Sequence, residues 1–150
     1  MNLKDRINQD LKDAMKSGDK TRLTVVRSIR ALILEFEKSG LAKELTPDEE
    51  IKMLSTAAKK RKDSIEQFRN AGRTELVETE ESELKILMSY LPRQLDENDI
   101  RNEIARLASE IGAKTKDDFP KLMPLVMKEL KGKADGKLVR IVVENFLDAN

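Results

Sequence analysis

Apolar residues recur along this chain at helical spacing and nowhere at strand spacing. Leu3, Ile7, Leu11 and Met15 stand four apart and predict a first helix with a narrow apolar stripe, ending at Ser17 and Gly18. Leu23, Val26, Ile29, Leu32, Ile33 and Phe36 predict a second from about Asp19 to Ser39, closed by Gly40. The third opens on a strong local signal: Thr46 to cap, Pro47 at the first helical position and Glu49 at the third, where it completes a capping box. Ile51, Leu54, Ala58, Ile65 and Phe68 carry it to Ala71 and Gly72. A fourth, from near Thr74 through Leu84, Leu87, Met88 and Leu91, is stopped by Pro92. No period-two run is sustained, and Asp135-Gly136 is flanked by helical patterns, so no strand is predicted.

Pro92 is also the expected boundary between domains. Residues 93 to 99 read as a polar connection, and Asp96 caps a helix with Ile100, Ile104, Leu107 and Ile111 that ends at Gly112. A segment from about Thr115 to Lys131 and a last helix with Leu138, Ile141, Val142 and Phe146 follow. The expectation is an all-α protein of two helical bundles: a larger N-terminal assembly over 1–92 and a small three-helix unit over 93–150.

The chain reverses between the last two helices. A helix with cations in its last turn is expected to stop at Gly132, and Asp135 to cap the next. Lys131, Lys133 and Lys137 then crowd one corner beside the N–H groups that open a helix, a place that suits a phosphate. A second reading stays open, in which Lys128 and Lys131 offset a helix dipole while Gly132 and Asp135 do the capping.

Composition narrows the partners. Charged residues are 38% of the chain, yet the net charge is only +1, so attraction to a polyanion must come from a local patch. The run Lys59 to Lys62 points around a whole helix and reads as solvated surface. Among Glu75, Glu78, Glu80, Glu81 and Glu83, the neighbours Glu80 and Glu83 could approach a divalent cation, but such sites draw on loops and more oxygens. No metal ligand is assigned. Cysteine is absent, which removes disulfides and thiolates and fits a reducing cytosol. No stretch has the ~18 apolar residues of a membrane span. The expectation is a soluble cytoplasmic protein.

Chemistry has little to work with. Histidine is absent, no glycine-rich nucleophile turn precedes a serine, and the phosphate-loop glycine patterns are missing. No catalytic residue is assigned and no cofactor is expected, which leaves a binding module. Single-strand readers need aromatic platforms, whereas Phe36, Phe68, Tyr90, Phe119 and Phe146 sit mostly at core positions. Backbone recognition of folded RNA suits lysine and arginine better.

Three segments carry a family resemblance: Leu23 to Arg27, Lys60 to Ile65 leading on to Tyr90, Leu91 and Pro92, and the run Asp118 to Leu147 with Lys131, Gly132, Lys133, Ala134, Asp135 and Gly136. Together they resemble the GatB/YqeY family over essentially the whole chain, in its free-standing YqeY-like branch. The resemblance implies an all-helical fold whose C-terminal unit is similar to the tail domain of the tRNA-dependent amidotransferase B subunit, which docks on the tRNA body. It implies an RNA-facing role for Lys131, Gly132, Lys133 and Ala134, and Lys128, Lys137 and Arg140 are added here as flanking phosphate contacts. Where the family carries a glycine after a Lys-x-Met triplet, this chain has Pro124, which adds bulk and removes an N–H.

The expected function is therefore a non-catalytic accessory protein that binds tRNA, or a tRNA-handling enzyme, and neither DNA nor a membrane. One alternative is a protein–protein adaptor, which requires an exposed apolar stripe along Leu3, Ile7 and Leu11. Another is a carbon–nitrogen ligase activity using glutamine, which requires a pocket with convergent polar groups.

Overall fold

The structure, a computed structural model, describes residues 1–39 and 44–149. Seven α-helices and one 3-10 turn account for its regular structure, with no strand among the described residues. They are α1 (Leu3–Ser17), α2 (Lys20–Lys38), α3 (Pro47–Asn70), α4 (Thr74–Met88), α5 (Glu97–Ile111), α6 (Phe119–Glu129) and α7 (Gly136–Asp148), with the 3-10 turn at Lys116–Asp118. The chain divides into two compact units, Met1–Leu91 and Pro92–Asn150.

In the first unit, side-chain caps make the helix starts. Asn2 accepts from the Asp5 N–H at 2.8 Å, Asp19 from the Arg22 N–H at 3.0 Å, and Thr46 and Glu49 form the reciprocal capping box. Gly18 takes a left-handed φ of 72° that ends α1 and turns the chain into α2. Gly40 lies outside the described residues. Here α1 packs on α2, α2 on α4, and α3 along α4. The core joins Leu3 and Ile7 to Val25, Val26, Ile29 and Ile33, and these to Leu54, Ala58 and Leu87. Each fully buried aliphatic chain stabilises the fold by about 1.5–3 kcal/mol relative to exposure. Met15, at the end of the expected stripe, is exposed. The fourth helix stops at Met88, earlier than Pro92 alone requires, because Ser89, Tyr90 and Leu91 donate to carbonyls three residues back and tighten into 3-10 turns.

Charges between α3 and α4 are paired rather than merely solvated. Arg61, from the lysine-rich run, donates to Glu80 at 3.3 Å and to Glu83, with all three side chains three-quarters or more buried. The two carboxylates expected to be neighbours do share one cation, and that cation is a guanidinium. Among the described residues no group of acidic side chains is arranged to hold a metal.

The second unit closes as a triangle in which α5, α6 and α7 each touch the other two. Its core is Ile100, Ile104 and Leu107 of α5, Leu122 and Val126 of α6, and Val139, Val142, Val143 and Leu147 of α7. Ile141, expected among the apolar positions, is 53% exposed, because α7 buries the face formed by 139, 142, 143 and 147. The supposedly polar connection contributes to this core through Leu95. The segment expected to be helical from Thr115 begins instead with the 3-10 turn. The Asp118 carboxylate accepts from the Lys114 and Thr115 N–H groups at 2.7 and 3.0 Å, and these bonds hold its pKa below the ordinary value.

Candidate nucleic-acid interface

The turn between α6 and α7 is where the structure places the candidate residues. Helix α6 ends at Glu129 rather than running to Gly132, because Leu130 leaves helical geometry and Lys133 N–H closes back on the Leu130 carbonyl at 2.9 Å. Gly132 then takes φ 76°, a left-handed conformation that a side chain at Cβ disfavours. Lys128, Lys131, Lys133 and Lys137 are all exposed around this turn, and among the described residues no hydrogen bond or ion pair engages their side chains. These four lysines outnumber the two acids of the same ten residues, Glu129 and Asp135, and make a local positive patch in a nearly neutral molecule.

The other expected members do different work. Ala134 is half-buried and packs against the core of its unit. The Gly132 carbonyl is occupied within the protein, so this residue shapes the turn. Arg140 pairs with Glu144 at 3.0 Å and lies 6.0 Å over the Phe119 ring. Phe119 opens α6, whose 11 residues span about 16 Å at the usual helical rise, so this guanidinium is directed toward the end of α6 opposite the turn. The N–H groups of α7 are also less available than expected: Asp135 already accepts from Lys137 N–H at 2.9 Å. Attraction at the turn thus rests on lysine side chains, not on an open helix N-terminus.

One residue that holds the turn was not anticipated. Gln94 donates from Nε2 to the carbonyls of both Pro92 and Gly132, each at 2.8 Å, and Leu95 N–H donates to the Lys133 carbonyl at 2.8 Å. Gln94 and Leu95, the second and third residues after the proline, therefore grip the lysine turn from behind, across 38 residues of sequence. No spacing rule points to Gln94; the only hint is a polar residue directly before the partly buried Leu95. Pro124 lies exposed inside α6, one helical turn before Lys128 and on the same face.

An all-helical protein with a compact C-terminal unit presenting a lysine turn is the class these observations define. A family model described as Yqey-like protein matches residues 4–147, and the chain belongs to that family. It is similar to the altered inheritance of mitochondria protein 41, mitochondrial, of Pyrenophora tritici-repentis, 35% identical over 149 residues, covering 96% of this chain and 80% of the relative. Proteins of the same name from Lachancea thermotolerans and Kluyveromyces lactis are 32% and 31% identical. Those matches cover 77% and 87% of this chain, and 66% and 68% of the relatives. None of these names states a reaction.

The names overturn the cytoplasmic expectation, since these relatives are mitochondrial proteins. Absence of cysteine removes disulfides in any compartment and could not have decided between them. No helix among the described residues is long and apolar enough to cross a membrane.

Proposed function

We propose that this chain is an accessory RNA-binding protein, and that its C-terminal unit docks on the phosphate backbone of a folded RNA of the tRNA class through Lys128, Lys131, Lys133 and Lys137. The observation that carries this reading is the set of four exposed lysines, unpaired among the described residues, around a turn that Gln94 and Leu95 hold in place. Helix reversal needs a glycine and a cap, which Gly132 and Asp135 supply, and it does not need the lysines. The tRNA class rests on the resemblance of the unit to the amidotransferase tail. Lysines read phosphate and not base edges, so the docking selects shape rather than sequence.

The adaptor alternative loses its requirement, because Leu3 and Ile7 are buried in the core of their own unit. The test is binding of the full chain to total tRNA across a salt series, beside the Lys131→Ala, Lys133→Ala double variant. Affinity of the wild type should fall linearly with log salt, with a slope of about −0.7 to −0.9 per phosphate contact. The variant should lose about two contacts from that slope. Equal slopes for the two proteins, or no binding at low salt, would reject the reading.

A further inference from the structure

A second cationic site lies in the first unit, away from anything the lysine turn uses. The beginning of α1, the start of α2 and the end of α4 enclose an open hollow of about 490 Å³. Arg6, Arg22 and Lys85 reach it from three different helices. Its two carboxylates are already committed to the protein. Asp10 pairs with Arg22 at 3.3 Å and accepts from the Tyr90 hydroxyl, and Asp19 accepts from Arg22 N–H at 3.0 Å. Arg6 lies 4.5 Å over the face of the Tyr90 ring and donates to the Ser89 carbonyl at 3.3 Å, but among the described residues it has no carboxylate partner. Lys85 has no partner among the described residues.

Two cations with no counter-ion among the described residues therefore line one hollow, and one of them rests over a ring. A guanidinium resting over a ring and spending one N–H on a carbonyl keeps donors to spare, and a guanidinium can bind a tetrahedral oxyanion by two parallel bonds, while an ammonium lining the same hollow acts as a point charge. We propose that this hollow binds a phosphate group, with Arg6 and Lys85 as the contacts and the Asp10–Tyr90 pair positioning Arg6. The volume lies within the range of small-molecule sites and admits a phosphorylated molecule rather than a bare ion alone.

The single tyrosine and the absence of tryptophan supply the readout, because tyrosine fluorescence then reports the ring beneath Arg6 alone. The full chain is titrated with inorganic phosphate against chloride at matched ionic strength, in the wild type, in Lys85→Gln, and in the Lys131→Ala, Lys133→Ala variant. The expected result is a saturable response to phosphate that is weakened at least tenfold in Lys85→Gln and retained in the double variant. Lys85 has no bond to lose, so its variant folds as the parent does. A tRNA salt series on Lys85→Gln then separates the sources. A slope smaller by about one contact assigns the site to RNA phosphate, and an unchanged slope assigns it to a free phosphorylated molecule. A linear response equal to that of chloride, or a saturable response unaltered in Lys85→Gln, overturns the proposal.

Discussion

Replacing Gln94 by glutamate keeps the side-chain shape and removes both side-chain donors that tie Pro92 to the lysine turn, leaving the Leu95 N–H bond to Lys133 in place. In the native protein one half-buried Nε2 bonds two carbonyls at 2.8 Å. A neutral hydrogen bond contributes about 0.5–1.5 kcal/mol net, so losing both costs about 1–3 kcal/mol. Glutamate adds repulsion between its carboxylate and the two carbonyl oxygens, which places Gln94→Glu near the upper end. Gln94→Ala belongs near the lower end, because water reaches half-buried carbonyls. In a unit of this size 1 kcal/mol corresponds to about 4–8 °C in Tm, so the glutamate variant should melt its C-terminal unit roughly 10–20 °C lower. Amide hydrogen exchange gives a local reading. The Leu95 N–H bonded to the Lys133 carbonyl should lose about ten- to a hundredfold in protection, at about 1.4 kcal/mol per factor of ten. Gln94→Ala should also weaken tRNA binding while leaving the salt slope unchanged, since it loosens the turn and removes no charge. A glutamate variant as stable as the parent, with Leu95 equally protected, would refute the view that this amide holds the turn.

Arg61→Ala leaves Glu80 and Glu83 partly buried and facing one another, and should lower stability by about 2–4 kcal/mol in urea unfolding. Replacing all three by apolar residues of similar size should recover most of that loss, and an Arg61→Ala change below about 0.5 kcal/mol would count against the triad. Burial and the hydrogen bond to Asp10 push the Tyr90 phenol up to about 12, so ultraviolet titration of this one tyrosine should show its midpoint there, and Asp10→Asn should bring it down. Because the folded value exceeds the ordinary 10.0, this contribution to stability is fully present below pH 10 and is lost as pH rises toward 12. The buried Ser55 hydroxyl in α3 has no hydrogen-bond partner among the described residues, so Ser55→Ala should raise stability by about 1 kcal/mol, and a lower denaturation midpoint would contradict that.

What was legible in the chain was what neighbours decide. Thr46 and Glu49 stand three residues apart and cap one helix, Asp96 does the same for another, and Gly18 and Gly112 end theirs in left-handed geometry. All of this is chemistry within four residues, and so are the glycine and aspartate of the lysine turn. Contacts set by helix pairing were not legible. Arg61 meets acids 19 and 22 residues on because α3 and α4 pack side by side, and no local pattern distinguishes it from Lys60 or Lys62. Gln94 is harder still, since its partner lies 38 residues away in a turn. Arg140 was misplaced for a related reason: its sequence position flanks the turn, but Glu144 and Phe119 draw its guanidinium along α7 toward the far end of α6.

The bonds from α1 to the end of α4 have a consequence for synthesis on the ribosome. Tyr90 reaches Asp10 across 80 residues, and Ser89 reaches Arg6 across 83. At about 5–20 residues per second, α1 emerges about 4–16 s before the residues that fasten it. The hairpin of α1 and α2 forms early, because its partners are adjacent in sequence. Leu54 joins Val26, Ile29 and Ile33 partway through that interval, but Leu87, which completes their core, arrives only at its end. The nascent first unit therefore shows a greasy face to the cell for several seconds, and that window is when a chaperone would engage it.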